Sequence, residues 1–190
     1  MPYHVCPPWV GYLLLLNPVR KILENPNRIL GPLVQEGMVV LEPGCAMGYF
    51  TLPLARMVGS SGRVLAVDIQ PKMLSILVRR AQKAGLADRI LCREADQKSL
   101  FVDDFSGRVD LTVAIHVVHE IPDQSLFFAE VCNALKPGGK LLVVEPKHHV
   151  SQDAFAKTLG LAENSGFQPV ADSGEIRGRV RLLLKPSAVQ

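Results

Sequence analysis

The chain has 190 residues, of which 48% are hydrophobic and 21% are charged. This length and this balance are typical of one globular domain, and they exclude an intrinsically disordered protein. The formal net charge of +3 is too small to indicate a nucleic-acid-binding protein by charge alone. The four cysteines are scattered without a Cys-x-x-Cys pair, and no secretory leader is recognised, so we expect reduced thiols and a cytoplasmic protein.

Residues 1–35 are predicted to form an N-terminal helical extension, followed by a single domain over residues 36–190. The apolar run at residues 9–16 is far shorter than the about 20 residues that a spanning helix needs, so we expect no transmembrane segment. A helix over residues 9–24 would cover the domain core and act as a lid. A helix lying on a bilayer, or one that docks a second copy of the chain in a homodimer, is the alternative interpretation.

From residue 38 onward, short apolar runs rich in β-branched residues alternate with longer amphipathic segments. This alternation predicts parallel βαβ units with helices on both faces of the sheet. The two last strands are separated by too few residues for a crossover helix, so they are expected to pair antiparallel. The predicted strands cover residues 38–42, 63–68, 89–94, 109–115, 140–145, 167–171 and 180–184, and the predicted helices cover residues 48–58, 71–84, 123–135 and 151–164.

The first strand runs into a loop of small residues, with the sequence Glu-Pro-Gly-Cys-Ala-Met-Gly at residues 42–48. Gly44, Ala46 and Gly48 permit a sharp turn into the next helix and a close approach of a ligand to the backbone. A dinucleotide-binding loop would need a third glycine where Tyr49 stands. The Glu42 carboxylate beside the loop disfavours a phosphate and suits a ligand with a cationic end.

Acidic residues also follow the second and third predicted strands. Asp68 ends the second strand, where a carboxylate can accept hydrogen bonds from both hydroxyls of a ribose. Asp96 follows the third strand. Because ligands of open α/β sheets bind at the carboxyl ends of the strands, we expect Glu42, Asp68 and Asp96 to face one crevice.

In this pattern the chain resembles the class I S-adenosylmethionine-dependent methyltransferases over residues 38–185. The loop at residues 42–48 resembles the family's E-x-G-x-G-x-G motif with Ala46 at the middle glycine, and Leu-Lys-Pro-Gly-Gly-Lys-Leu-Leu at residues 135–142 resembles its turn into strand five. The segment at residues 110–123 resembles the quinone- and sterol-type members. The resemblance implies a Rossmann-like, doubly wound, seven-stranded, mostly parallel sheet with an antiparallel C-terminal hairpin.

The same resemblance implies S-adenosyl-L-methionine as the cofactor. It places Asp68 on the ribose and Asp96 at the adenine amino group. Ile69 and Met73 are candidates to pack on the adenine face, and the alternative for both is a place in the core of the sheet and helix. The complete set of residues implied to bind the cofactor is Glu42, Gly44, Ala46, Gly48, Asp68, Ile69, Ala95, Asp96 and His116.

The segment after strand four bears on the identity of the methyl acceptor. The N-P-P-[YF] motif that holds an amine nitrogen is replaced by Ile-His-Val-Val at residues 115–118, which disfavours methylation of a DNA base. A small-molecule acceptor methylated on oxygen or carbon is the favoured interpretation. Such an acceptor needs a base near neutral pH, and His119 is the first candidate and His116 the second.

Other interpretations stay open. A divalent metal is one alternative, with ligands from His116, His119, Glu120, Glu145, His148 and His149, and with Cys6, two residues after His4, joining from the lid. We expect no metal, because ligands from separate loops need a geometry that the sequence does not reveal. The chain could also be an RNA or protein methyltransferase with the same cofactor, or a cofactor-binding subunit without catalysis. Arg79, Arg80 and Lys83 share one predicted helix, but such a charge run is more often a solvated face.

Overall fold

The computed structural model describes residues 24–170 and 179–187. Its strands form a seven-stranded sheet in the order β3-β2-β1-β4-β5-β7-β6. The pairs β1–β2, β2–β3 and β4–β5 are parallel, whereas β7 is antiparallel to both β5 and β6. The predicted mostly parallel sheet with an antiparallel C-terminal hairpin is therefore confirmed. The strands are β1 (Val39–Pro43), β2 (Arg63–Asp68), β3 (Ile90–Glu94), β4 (Val109–Ile115), β5 (Leu135–Glu145), β6 (Gln168–Pro169) and β7 (Arg179–Leu184).

The chain divides into two compact units, residues 1–94 and residues 95–190. In the described part of the first unit, the helices are α1 (Pro26–Leu30), α2 (Thr51–Met57) and α3 (Pro71–Lys83). In the second unit they are α4 (Gln124–Ala134) and α5 (Gln152–Asn164). The core is carried by β1 and β2 in the first unit and by β4 and the last five residues of β5 in the second, because these runs of mainly apolar residues are almost completely buried. The predicted boundary at residue 35 and the single domain beyond it stay predictions.

Helix starts follow the signals read in the sequence. The Asp123 carboxylate accepts a hydrogen bond from the backbone N–H of Leu126 at 2.9 Å, and the Ser151 hydroxyl accepts one from Ala154 at 3.1 Å. Both side chains thereby satisfy a donor that the first turn of a helix leaves unpaired. Pro71 opens α3, and Gly85 follows its end at a φ of +66°. Helix α2 begins at Thr51, later than predicted, because the loop before it continues through residue 50.

Strand β5 differs from the prediction because it begins at Leu135 instead of Lys140. Val109 pairs with Leu135, but Leu111 pairs with Lys140, so the intervening Pro-Gly-Gly segment bulges out of the ladder. The Lys185 ammonium, just beyond β7, donates to the carbonyls of Cys132 and Leu135 at 2.7 Å each. It thereby satisfies acceptors at the end of α4, where the helix has no further N–H to offer.

The predicted helix over residues 9–24, its lid and its dimer contact lie almost entirely outside the described residues. The described chain begins at Glu24, and the Asn25 side chain caps α1 by accepting from the N–H of Asn27 at 3.0 Å. Within residues 24–170 and 179–187, no helix combines the length and the apolar character needed to cross a bilayer.

Candidate functional site

The loop after β1 has a backbone that few residues tolerate. Gly44, Ala46 and Gly48 all have positive φ values, of 69°, 47° and 82°. For Ala46 this left-handed conformation costs about 1 kcal/mol, because its Cβ approaches the following carbonyl. The Asp68 carboxylate accepts a hydrogen bond from the Ala46 N–H at 2.8 Å, which offsets that cost and ties the loop to the end of β2.

Helix α3 holds the same loop from the other side. A Cβ on Gly48 would collide with Leu77 Cδ1, so glycine is needed here for space as well as for its positive φ. The Arg80 guanidinium donates a hydrogen bond to the carbonyl of Met47. Arg80 is half-buried, and this burial lowers its pKa. The expectation that Arg80 belongs to a solvated face was therefore wrong, although Arg79 and Lys83 are exposed as expected.

Glu42 is a buried and strongly perturbed acid of the first unit. Its side chain is only 4% exposed, and its Oε2 has no hydrogen-bond partner among the described residues. Burial raises the pKa of Glu42 to about 8, the nearby Thr51 hydroxyl lowers it, and the Asp68 carboxylate raises it further. At neutral pH this carboxyl group is therefore mostly protonated, and a cation placed beside it would favour its charged form.

Asp68 lies at the end of β2 and is also buried. Burial raises its pKa, and the N–H groups of Gln70, Ala46 and Ile69 oppose that shift. The N–H of Gln70 donates to Oδ1 at 2.9 Å, while Ala46 donates to Oδ2. Each carboxylate oxygen can accept a second hydrogen bond, so Asp68 can still receive two hydroxyl groups.

These residues fit the expected cofactor. The unpaired Glu42 Oε2 suits the ammonium group of its amino-acid end, and Asp68 suits its ribose hydroxyls. Ile69 is half-buried beside Asp68. Met73 is a core residue, because it is buried in a cluster with Met47 and Ile76. Of these two candidates for an adenine contact, Ile69 therefore remains, and its contact with the adenine stays a prediction.

The second unit begins with Ala95 and Asp96. Ala95 is buried, whereas Asp96 is exposed and its Oδ1 accepts hydrogen bonds from the N–H groups of Lys98 and Ser99 at 2.7 and 2.8 Å. Asp96 therefore shapes its own turn. Its predicted contact with the adenine, and the convergence of three acids on one crevice, stay predictions.

His116 and His119 follow β4. His116 is half-buried with a φ of +58°, and its N–H donates to the carbonyl of Val144 at 2.7 Å. His119 lies in a 3₁₀ turn (Val118–Glu120). Its N–H donates to Glu145 Oε1 at 3.1 Å, and its Nδ1 forms a hydrogen bond with Glu145 Oε2. One carboxylate thus holds both the backbone and the ring of His119.

The pKa of His119 is raised, first by the hydrogen bond to Glu145. Burial opposes this shift, while the charges of Glu145 and Glu120 add to it. The rings of His119 and His149 lie 6.0 Å apart, and those of His149 and His148 lie 4.9 Å apart. Among the described residues no three His, Cys, Asp or Glu side chains are arranged to hold a metal ion, so the metal alternative finds no support there. His4 and Cys6 lie outside the described residues.

A family model for a methyltransferase domain matches residues 34–176, which is most of the chain. The chain belongs to the methyltransferase domain family. This methyltransferase domain is 27% identical over 122 residues to the ubiquinone/menaquinone biosynthesis C-methyltransferase UbiE of Shewanella halifaxensis, covering 63% of this chain and 48% of that protein. It is 29% identical over 157 residues to the ubiquinone biosynthesis O-methyltransferase of Methylocella silvestris, covering 74% of this chain and 57% of that protein.

Among solved structures, a SAM-dependent methyltransferase from Aquifex aeolicus superposes with a TM-score of 0.80 at 21% identity, covering 95% of this chain and 97% of that one. That likeness shows that the methyltransferase domain shares its fold. The chain spans about half the length of the curated relatives that it matches.

Sequence reasoning missed two side chains of the methyltransferase domain. In the sequence Arg80 is part of a run of charged residues, and its contact with the loop follows only from the packing of the helix against that loop. The sequence indicates Glu145 only as a possible metal ligand. A signal was available for it, since β4 and β5 pair in parallel and the residues just past their ends must come close.

Proposed function

We propose that this methyltransferase domain transfers a methyl group from S-adenosyl-L-methionine to an oxygen or a carbon of a small-molecule acceptor. The observation that carries the proposal is Glu42, a buried carboxyl group with an unpaired oxygen beside a loop of small residues. A buried polar atom without a partner is rare in a folded protein, and a cationic ligand end explains it. Family membership supports the same cofactor.

The chain's residues divide the work of binding. Glu42 would hold the ammonium group, and Asp68 the ribose hydroxyls. The backbone of the loop would pass close to the ligand at Gly44, Ala46 and Gly48. The adenine and the floor of the pocket would be contacted by Ile69, Ala95, Asp96 and His116.

When bound, S-adenosyl-L-methionine supplies a methyl group whose bond to the sulfonium sulfur breaks with its electron pair going to sulfur. The acceptor must lose a proton from an O–H or an acidic C–H group, and the electron pair left behind forms the new bond to the methyl carbon. His119 takes that proton on Nε2, because its Nδ1 is engaged by Glu145. His116 is the second candidate base.

Cofactor binding is tested by calorimetry with S-adenosylhomocysteine. We expect one site per chain, and Asp68→Ala to weaken the affinity at least about tenfold, since two hydrogen bonds to a charged group are lost. Asp88→Ala is the matched control, because Asp88 is exposed in a 3₁₀ turn of the same unit and should leave the affinity unchanged. An unaltered affinity in Asp68→Ala, or tighter binding of NAD than of the nucleoside, would contradict the proposal.

The acceptor class is proposed from the relatives, which are named for ubiquinone and menaquinone biosynthesis. We propose a phenol or quinol, whose O–H can give its proton to a histidine base. The resulting phenolate is nucleophilic at its oxygen and at the neighbouring ring carbon, and after methylation at carbon the ring loses the C–H proton and becomes aromatic again. The purified chain is incubated with methyl-labelled cofactor and a series of phenols and quinols, and the product is read by mass spectrometry. Label that appears only in added RNA or protein would favour the other acceptor classes.

We further propose that the protein is cytoplasmic and that residues 1–35 form a lid or a homodimer contact. The three cysteines of the described residues are free thiols, which suits a reducing compartment. Size-exclusion chromatography of the full chain, compared with a chain lacking residues 1–30, tests the dimer. If both chains elute at the apparent mass expected for the same number of copies, residues 1–30 do not hold two copies together.

A further inference from the structure

We propose that Glu145 is a positioning residue: it holds the His119 imidazole with its proton on Nδ1 and leaves Nε2 as the basic nitrogen. This inference rests on the proposed function for its catalytic meaning. Its structural part concerns only residues of the second unit and is testable without any methyl acceptor.

The geometry is a two-point attachment. Glu145 Oε1 accepts the backbone N–H of His119 at 3.1 Å, and Oε2 contacts the ring Nδ1 of the same residue. The first contact fixes where the 3₁₀ turn lies, and the second fixes how the ring is rotated. A single contact would leave one of these free, so the pair of contacts selects one orientation of the imidazole.

Burial makes the carboxylate effective. Glu145 is the last residue of β5 and is only 2% exposed, whereas the side chain of His119 is 24% exposed. A carboxylate with little access to water interacts more strongly with its neighbour than one at the surface. His119 is therefore partly accessible from solvent, and a base must be accessible in this way to contact a substrate.

Within the described residues, charged and titratable groups on three segments lie near His119, and Arg179 on a fourth segment pairs with Glu145. Glu120 lies in the same turn, Glu145 ends β5, and His149 lies beyond β5 with its ring 6.0 Å away. Arg179 of β7 pairs in register with Glu145, but its Nε donates to the carbonyl of Val150 at 2.7 Å. Glu145 is therefore the acid that contacts the ring directly, and Glu120 acts on it more weakly through its charge.

The first test uses nitrogen-15 NMR of the histidine rings in the full chain. In the wild type we expect neutral His119 to carry its proton on Nδ1 and its pKa to lie above that of an ordinary histidine. In Glu145→Gln we expect the pKa to fall and the Nδ1 preference to weaken. Glu120→Gln is the matched control, because it removes one charge beside the same ring and should lower the pKa by less.

An Nε2-protonated ring in the wild type, which needs no variant, would overturn the inference. So would an equal pKa change in Glu145→Gln and Glu120→Gln. If Glu145→Gln does not fold, Glu145→Asp replaces it. Aspartate keeps the negative charge on a shorter side chain. The pKa of His119 should therefore stay partly raised, while its preference for the Nδ1-protonated tautomer should become weaker.

The second test measures the pH dependence of kcat/KM for methyl transfer. The acidic limb should move to lower pH in Glu145→Gln, following the NMR pKa of His119, while KM for the cofactor stays constant. If kcat/KM falls but the acidic limb stays at the same pH, Glu145 has a structural role only. If the wild type transfers no methyl group, the proposed function fails, and the NMR result still decides whether Glu145 positions His119.

Discussion

Among single residues, Glu42 shows how a group that we propose to bind the cofactor can oppose stability. Its pKa is raised to about 8, so the folded state holds a proton that the unfolded chain releases above its ordinary value of 4.5. The folded state is therefore favoured fully below pH 4.5, and that advantage is lost as pH rises from 4.5 to 8. A cationic ligand would reverse the effect by favouring the charged carboxylate.

Glu42→Gln tests this linkage. Because each pKa unit corresponds to about 1.4 kcal/mol, the wild type should lose on the order of 2 kcal/mol of unfolding free energy between about pH 5.5 and 7.5 through this group. The variant should lack that part of the slope, as measured by urea unfolding at several pH values. Glu163→Gln, at an exposed position of α5, should keep the wild-type slope. Equal slopes in all three proteins would refute the assignment.

Glu42→Gln should also bind S-adenosylhomocysteine more weakly, since an amide cannot neutralise an ammonium group. In the wild type, affinity should increase as pH rises toward 8, because more of the Glu42 carboxyl becomes charged. Calorimetry at about pH 6.5 and about pH 8 measures both effects. A wild-type affinity that falls with pH would contradict the role given to Glu42.

Among the elements, the packing of α3 against the loop after β1 shapes that loop. Gly48 lies against Leu77, and Arg80 holds the carbonyl of Met47. The helix therefore sets how closely the loop backbone can approach a ligand. Two residues that shape the loop, Leu77 and Arg80, belong to a helix outside the loop motif, which is why the motif alone does not define the shape of the loop.

Gly48→Ala and Gly85→Ala separate backbone strain from packing. Both glycines have a positive φ, but a Cβ at Gly85 meets nothing within 4 Å, whereas one at Gly48 meets Leu77. Gly85→Ala should cost about 1 kcal/mol of unfolding free energy from strain alone. Gly48→Ala should cost roughly 1–3 kcal/mol more, because an overpacked site must shift its neighbours. Chemical denaturation measures both, and equal costs would show that α3 does not press on the loop.

For the whole molecule, a ligand that binds only the folded state raises its stability. At a concentration of about 100 times Kd, S-adenosylhomocysteine should add about 2.7 kcal/mol to the unfolding free energy. For a chain of 190 residues this corresponds to an increase in Tm of roughly 5–10 °C. Scanning calorimetry should show this increase in the wild type and in Asp88→Ala. In Asp68→Ala the increase should be at most about half as large, because an about tenfold weaker affinity leaves about 1.4 kcal/mol at the same ligand concentration. An equal increase in Asp68→Ala would place the ligand elsewhere.

Most of the architecture was predictable from local patterns. Strands β2 and β4 have the predicted bounds, and the caps at Asp123 and Ser151 act as expected. These features depend on hydrophobic periodicity and on side chains that bond to neighbours in the chain. The bulge that extends β5 to Leu135 was missed, because a register shift depends on the partner strand and leaves no local pattern.

The amino-acid sequence by itself determined the type and order of the elements, the family and the identity of the acids at the strand ends, since each of these follows from neighbouring residues. Only the tertiary structure decided that Asp68 restrains Ala46, that Arg80 is half-buried at the loop and that Glu145 holds His119. The partners in these contacts are more than 20 residues apart, so their distance, burial and hydrogen bonds are set by packing. The same packing determines which carboxyl groups keep a proton at neutral pH.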